Sequence, residues 1–298
     1  MGLLNFNKNS TFLISFCNNS KSKRNLQLLT VSRDSITTKK LFTKCENSGM
    51  TGLAVDSKYI YIAYQSRTPG LLRIDKTDFS CQRDYKFSKI VDPHSILSLK
   101  DRLLIVSSGT DSVYEVFLGE DEIERESYFW SLSGKEEGSD MHHINSITKF
   151  DRDILVSGFG SKTNDSWKET SNGFIFNINR GEYLRKGIYH PHSLHKYKGS
   201  LYYCESVTRS LWRNETNILK LESGYIRGLS ISRDFIVVGS STGRKKSKSS
   251  GKTFAISGEG IIDKSCGIIV YERKNLKVLH SLDFTSQYTE IYDIVRIK

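Results

Sequence analysis

Short runs of Val, Ile, Leu, Tyr and Phe follow one another along the chain, with Gly, Asp, Asn and Ser between them. This is the punctuation of strands and turns. No segment keeps a helical period over more than two turns, and only 3 of the 298 residues are Pro, so strands are rarely interrupted. Six of the runs open alike. Asp92-Pro93-His94-Ser95-Ile96, His143-Ile144-Asn145-Ser146-Ile147 and His190-Pro191-His192-Ser193-Leu194 align with one another. They also align with Met50-Thr51-Gly52-Leu53, Tyr225-Ile226-Arg227-Gly228-Leu229 and Glu290-Ile291-Tyr292-Asp293-Ile294.

The aligned column reads Thr51, His94, Asn145, His192, Arg227, Tyr292, at intervals of 43, 51, 47, 35 and 65 residues. Such intervals bracket a four-stranded propeller blade, with loop insertions in the longer ones. Each has room for three more strands: 103–107, 112–118 and 122–130 after His94, and 200–205, 209–213 and 218–221 after His192. The final copy, 291–297, has nothing after it, whereas the first 42 residues hold three motif-less strands at 11–17, 26–31 and 36–42. Joining them makes a sixth blade whose innermost strand comes from the C-terminal end, which would close the ring. The predicted fold is all-β, a six-bladed β-propeller in one domain over residues 1–298.

Inner strands of a propeller start at one mouth of the central channel, so the column becomes a predicted ring. A second tier lies two residues earlier: Asp92, His143, His190, Tyr225 and Glu290. His142 and His195 fall off this register and are expected to point elsewhere. Three chemistries fit the ring. Neutral imidazoles of His94, His143 and His192, with Glu290, could hold a divalent metal such as Zn²⁺, Mn²⁺, Fe²⁺ or Ca²⁺. A metal-free site could use His94 or His192 as acid or base, Arg227 to hold an anionic group and Tyr292 as proton donor. Asn145, Tyr225, Thr51 and the strand-end Glu205 would then contact the ligand. The ring could instead be a hydrogen-bonded structural element.

Composition narrows the setting. The formal charge of +11 is concentrated in residues 1–46, at +6, and 241–253, at +5; the remainder balances. The basic loop 244–252 reads as a solvated connection or a contact for an acidic protein partner. No aromatic-rich recognition motif accompanies the charge, which argues against nucleic acid. No apolar run approaches the ~20 residues that span a bilayer, and 12–16 is too short for a signal-peptide core. The five scattered cysteines (17, 45, 81, 204, 266) lack metal spacing, so a reduced, cytoplasmic protein is expected.

Pro191-His192-Ser193 with Gly199-Ser200-Leu201-Tyr202-Tyr203-Cys204-Glu205-Ser206, Gly224-Tyr225-Ile226-Arg227-Gly228-Leu229 and His143-Ile144-Asn145-Ser146-Ile147 carry a resemblance. Over about residues 90–245 the chain resembles a bacterial propeller family of unknown function often found near glycosyltransferases. It departs from that pattern at Ser146, where Gly is expected, and after Ser206, where a Gly-rich turn is expected. More distantly it is similar to gluconolactonase-like and streptogramin-lyase-like propellers, which place a metal near the channel. The carboxylate and Asn ligand pattern of the gluconolactonase-like group is not reproduced here. The resemblance bears on the fold; the convergence of polar residues in the ring suggests an enzyme acting on a polar small molecule or carbohydrate, a hydrolase, lyase or isomerase. The alternative is a non-catalytic binding or scaffold propeller that uses its basic patches.

Overall fold

A computed structural model describes residues 9–17, 25–41, 49–136, 138–162, 167, 170–242 and 265–298. They form six four-stranded antiparallel sheets. Blade 1 is built from Glu290–Arg296, Ser10–Cys17, Leu26–Val31 and Ile36–Lys40, in that order from the channel outward. The last strand of the chain thus pairs with the first, Ile14 opposite Ile294. The inner strands of blades 2 to 6 are Gly49–Val55, Pro93–Ser98, Ile144–Phe150, Pro191–Tyr197 and Tyr225–Ile231. The predicted strands at 103–107, 112–118, 26–31 and 200–205 have the observed bounds; the others shift by one or two residues at an end.

The two inner strands of each blade are apolar on both faces because a neighbouring blade lies against each. In Ser10–Cys17, Phe12, Ile14 and Phe16 pack on Phe235, Val237 and Ile268 of blade 6. Leu13, on the opposite face, packs on Met50, Leu53 and Ile62 of blade 2. Outer strands such as Glu182–Ile188 are largely exposed, so the core lies between blades near the channel.

Each blade breaks its ladder at the same place. The register shifts between Met50 and Leu53, Pro93 and Ile96, Ile144 and Ser146, His192 and His195, and Ile226 and Leu229, and in blade 1 between Ser15 and Phe16, opposite Asp293 and Ile291. These are β-bulges, which re-aim side chains and tighten twist. Residues that directly follow the ring column lie at these breaks and join neighbouring blades. Ser95 Oγ accepts the Ile147 N–H at 3.3 Å, Ser146 Oγ the Leu194 N–H at 2.8 Å and Ser193 Oγ the Gly228 N–H at 2.8 Å. Asp293 Oδ2 accepts the Leu53 N–H at 3.0 Å. Gly52 occupies the position where a Cβ would lie 2.5 Å from the His94 carbonyl oxygen.

Candidate active site at the channel mouth

Strand-end geometry brings most of the predicted ring together. His94, Asn145, His192 and Tyr292 line a cavity of about 230 Å³ that runs down the channel between the inner strands. His94, His192, Arg227 and Tyr292 are all buried. Rings close over this level: His143 lies 5.0 Å from His94, 4.6 Å from Phe159 and 4.7 Å from Trp167, measured between centroids. Phe159 stacks on His190 at 4.2 Å and meets His192 edge-on at 5.0 Å. Tyr225 stands 5.5 Å from His192. Trp167 sits at the mouth beside His143, and its backbone carbonyl accepts the His190 Nε2–H at 2.6 Å.

Hydrogen bonds fix the imidazole tautomers. A carbonyl oxygen can only accept, so His94 Nδ1, 2.9 Å from the Asp92 carbonyl, carries the proton. His192 Nδ1 lies 3.2 Å from the His190 carbonyl and 2.8 Å from Ser206 Oγ, whose own proton goes to the Ile226 carbonyl. Both rings therefore present Nε2 as a bare acceptor. His190 uses both nitrogens, with Nδ1 accepting from the Tyr225 hydroxyl at 3.0 Å. Burial pushes His94 and His190 down to about 4 and His192 well below its ordinary value, so all are neutral at pH 7.

His143 differs. It is partly exposed, and its Nδ1 lies 3.0 Å from Asp140 Oδ2 while its backbone N–H donates to Asp140 Oδ1 at 3.1 Å. Its φ of 50° is left-handed, a strained conformation for a non-Gly residue that the Asp140 contacts hold in place. This is a carboxylate-oriented imidazole with Nε2 left for chemistry. Asp140 and Phe159 escape sequence reasoning because neither belongs to the repeat. An Asp three residues before a His was the only available signal.

Other predicted residues have structural partners. Arg227 donates to Glu290 Oε2 at 2.8 Å and to the Ile291 carbonyl at 2.7 Å, and its guanidinium lies 4.4 Å from the Tyr292 ring centre. Thr51 Oγ1 donates to the Pro93 carbonyl at 2.8 Å. Asn145 Oδ1 accepts from Ser157 Oγ at 2.9 Å, and its amide donates to the His143 carbonyl. Glu205 accepts from the Tyr189 N–H at 2.8 Å and from Trp212 Nε1 at 2.9 Å. His142 Nδ1 lies against Asp111 at 2.6 Å. His195 corrects an expectation: it lines the channel cavity below His192. The bulge at Ser193, with φ 56°, changes the strand's parity, so counting by twos across it fails.

The side chains do not fit a divalent cation. Among the described residues no three His, Cys, Asp or Glu side chains come together as a metal-holding group. Glu290, the one carboxylate assigned to that set, faces a guanidinium whose charge opposes a cation.

Residues 20–298 match a family described as a domain of unknown function, DUF4915. This chain belongs to the DUF4915 family. No curated protein matches it. The DUF4915 chain is similar in fold to a chain of the nidogen/laminin complex, at 13% identity and TM-score 0.63 over 97% of this chain and 98% of that one. It is similar also to a Bacteroides fragilis protein assigned provisionally as a 6-phosphogluconolactonase, at 11% identity and TM-score 0.56 over all of both chains. A luciferin-regenerating enzyme aligns at 10% identity and TM-score 0.56 over 78% of this chain and 76% of its own. At these identities the likeness concerns the fold alone. The basic loop 244–252 lies outside the described residues. No helix among the described residues is long and apolar enough to cross a membrane.

Proposed function

We propose that this DUF4915 propeller is an enzyme that moves a proton on a neutral, hydroxyl-bearing small molecule of carbohydrate type, without a metal, with His143 as the proton acceptor. The observation that carries this reading is His143 Nδ1 at 3.0 Å from Asp140 Oδ2 beside Phe159 and Trp167. Asp140 holds the ring in the tautomer whose Nε2 can take a proton. The aromatic faces suit the C–H faces of a sugar ring. Neutral His94 and His192 stay hydrogen-bond acceptors rather than charges, Arg227 is matched by Glu290, and the Lys162 ammonium lies over the Trp167 ring at 4.1 Å. Base-assisted attack of water on a lactone, β-elimination and enolising isomerisation each use such a proton acceptor.

The test is turnover of a panel of neutral pyranosides and sugar lactones by the full chain, before and after chelator treatment. His143→Ala and Asp140→Asn are expected to lower the rate by ~10²–10⁴ while the melting temperature holds, and the chelator should change nothing. Equal rates in the parent and both variants would sink the assignment.

A further inference from the structure

The cavity beneath the ring is a separate compartment from the His143 side. His94, Asn145, His192 and Tyr292 close one end, and Ser98, Thr148 and His195 lie at the other. The inner strands themselves, through residues such as Leu53, Ile96, Ile147 and Leu194, form its walls. At about 230 Å³ it is smaller than the ~300–1,000 Å³ of drug-sized pockets.

Its ring end carries unmatched polar groups. The Nε2 atoms of His94 and His192 have lone pairs and no proton, because each Nδ1 carries it. Neither Nε2 has a hydrogen-bond partner among the described residues. The Tyr292 hydroxyl is buried and has no partner among them. Asp293 accepts from the Leu53 and Ile294 N–H groups and retains further lone pairs. At the ring end of the cavity, the bare His94 and His192 Nε2 atoms and the Tyr292 hydroxyl are therefore left to be matched by hydroxyl groups, and leaving such buried groups unmatched is costly.

Charge narrows the ligand further. A phosphate or carboxylate would bring only more acceptors. An ammonium at the ring end would sit by Tyr292, whose ring the Arg227 guanidinium already faces at 4.4 Å, while the Asp293 carboxylate is held by the Leu53 and Ile294 N–H groups. A neutral molecule with several hydroxyl groups and C–H faces suits both the ring-end groups and the strand walls.

We propose that the channel cavity is a second binding compartment, for one neutral polyol or free sugar of monosaccharide size, held by its hydroxyls on His94, His192 and Tyr292. It stands independently of the proton-transfer site.

Isothermal titration of the full chain with myo-inositol, D-glucitol and D-mannose, against glucosamine and glucose 6-phosphate, tests this. At least one neutral probe should bind, and a deoxy analogue of that probe should bind about tenfold more weakly or worse, the loss of roughly one well-made hydrogen bond. Tyr292→Phe should produce a similar loss. Ser98→Phe, and independently Thr148→Phe, fill the far end and should abolish binding in protein that melts as the parent does. His143→Ala should leave polyol binding intact. Binding by no neutral probe, or only by glucosamine or glucose 6-phosphate, overturns the proposal. So does binding that survives both far-end variants and disappears in His143→Ala, an outcome that moves the ligand to the mouth and leaves the proton-transfer reading standing.

Discussion

At the scale of single residues, the buried pair of Arg227 and Glu290 shows how a residue type can mislead. An Arg in a ring of polar residues invites an anionic ligand; in the fold its partner is supplied by the chain's own Glu290, 2.8 Å away. Removing one member of such a pair strands a buried charge. Arg227→Met should therefore destabilise the protein by ~3–5 kcal/mol, and the double variant Arg227→Met/Glu290→Gln should recover much of that loss. Chemical denaturation of the three proteins checks it. If the single variant were as stable as the parent, the pair would have no structural role. The same lesson applies to Glu205, which is satisfied by Tyr189 and Trp212. The type and strand position of both residues were legible in the sequence. Their partners were not, because a neighbouring blade or outer strand supplies them.

At the scale of elements, the repeat was legible because inner strands are buried on both faces and so keep an apolar signature in every copy. The bulges were not. A bulge inserts a residue without changing composition, and the periodicity of two that places side chains fails across it. That is why His195, three residues past His192 and across the break, lines the channel cavity along with His192. Composition likewise hides the fact that Ser95, Ser146, Ser193 and Asp293 each tie one blade to the next. Gly52 tests this geometry. Its Cβ would meet backbone atoms of His94 and Ser95 at 2.5 and 2.7 Å, so blades 2 and 3 must separate to admit one. Gly52→Ala should cost ~1–3 kcal/mol, whereas Gly138→Ala, with nothing within 4 Å, should be near neutral. Denaturation midpoints of the two variants would be compared, and equal values would contradict the packing.

At the scale of the whole molecule, the channel's buried titratable groups link stability to pH. His94, His190 and His195 are pushed down to about 4, chiefly by burial, and His192 is lowered for the same reason. A histidine depressed in the folded state leaves the native protein with fewer bound protons than the unfolded chain. Its contribution is complete above about 6.5 and is lost as pH falls toward 4. Asp293 opposes this. Burial raises it to about 6, so its contribution is present at low pH and is lost as pH rises through that value. Four groups against one make acid the destabilising direction. Stability by urea titration is expected to fall by several kcal/mol, as an order of magnitude, between pH 7 and pH 4. Asp293→Asn should steepen that fall by removing the opposing group, and a flat profile would contradict neutral burial of the histidines.

Blade closure has a mechanical meaning as well. Because Glu290–Arg296 runs antiparallel to Ser10–Cys17, Thr11 and Lys298 lie side by side, joined by hydrogen bonds between their backbones. A force applied at residues 10 and 298 would therefore not shear the ladder along its length. It would load the outermost bond first and pass the load inward one pair at a time, as in opening a zipper. The seam that makes six sheets into a continuous ring is strong as a sum of hydrogen bonds, yet it can be peeled from the end where Thr11 meets Lys298.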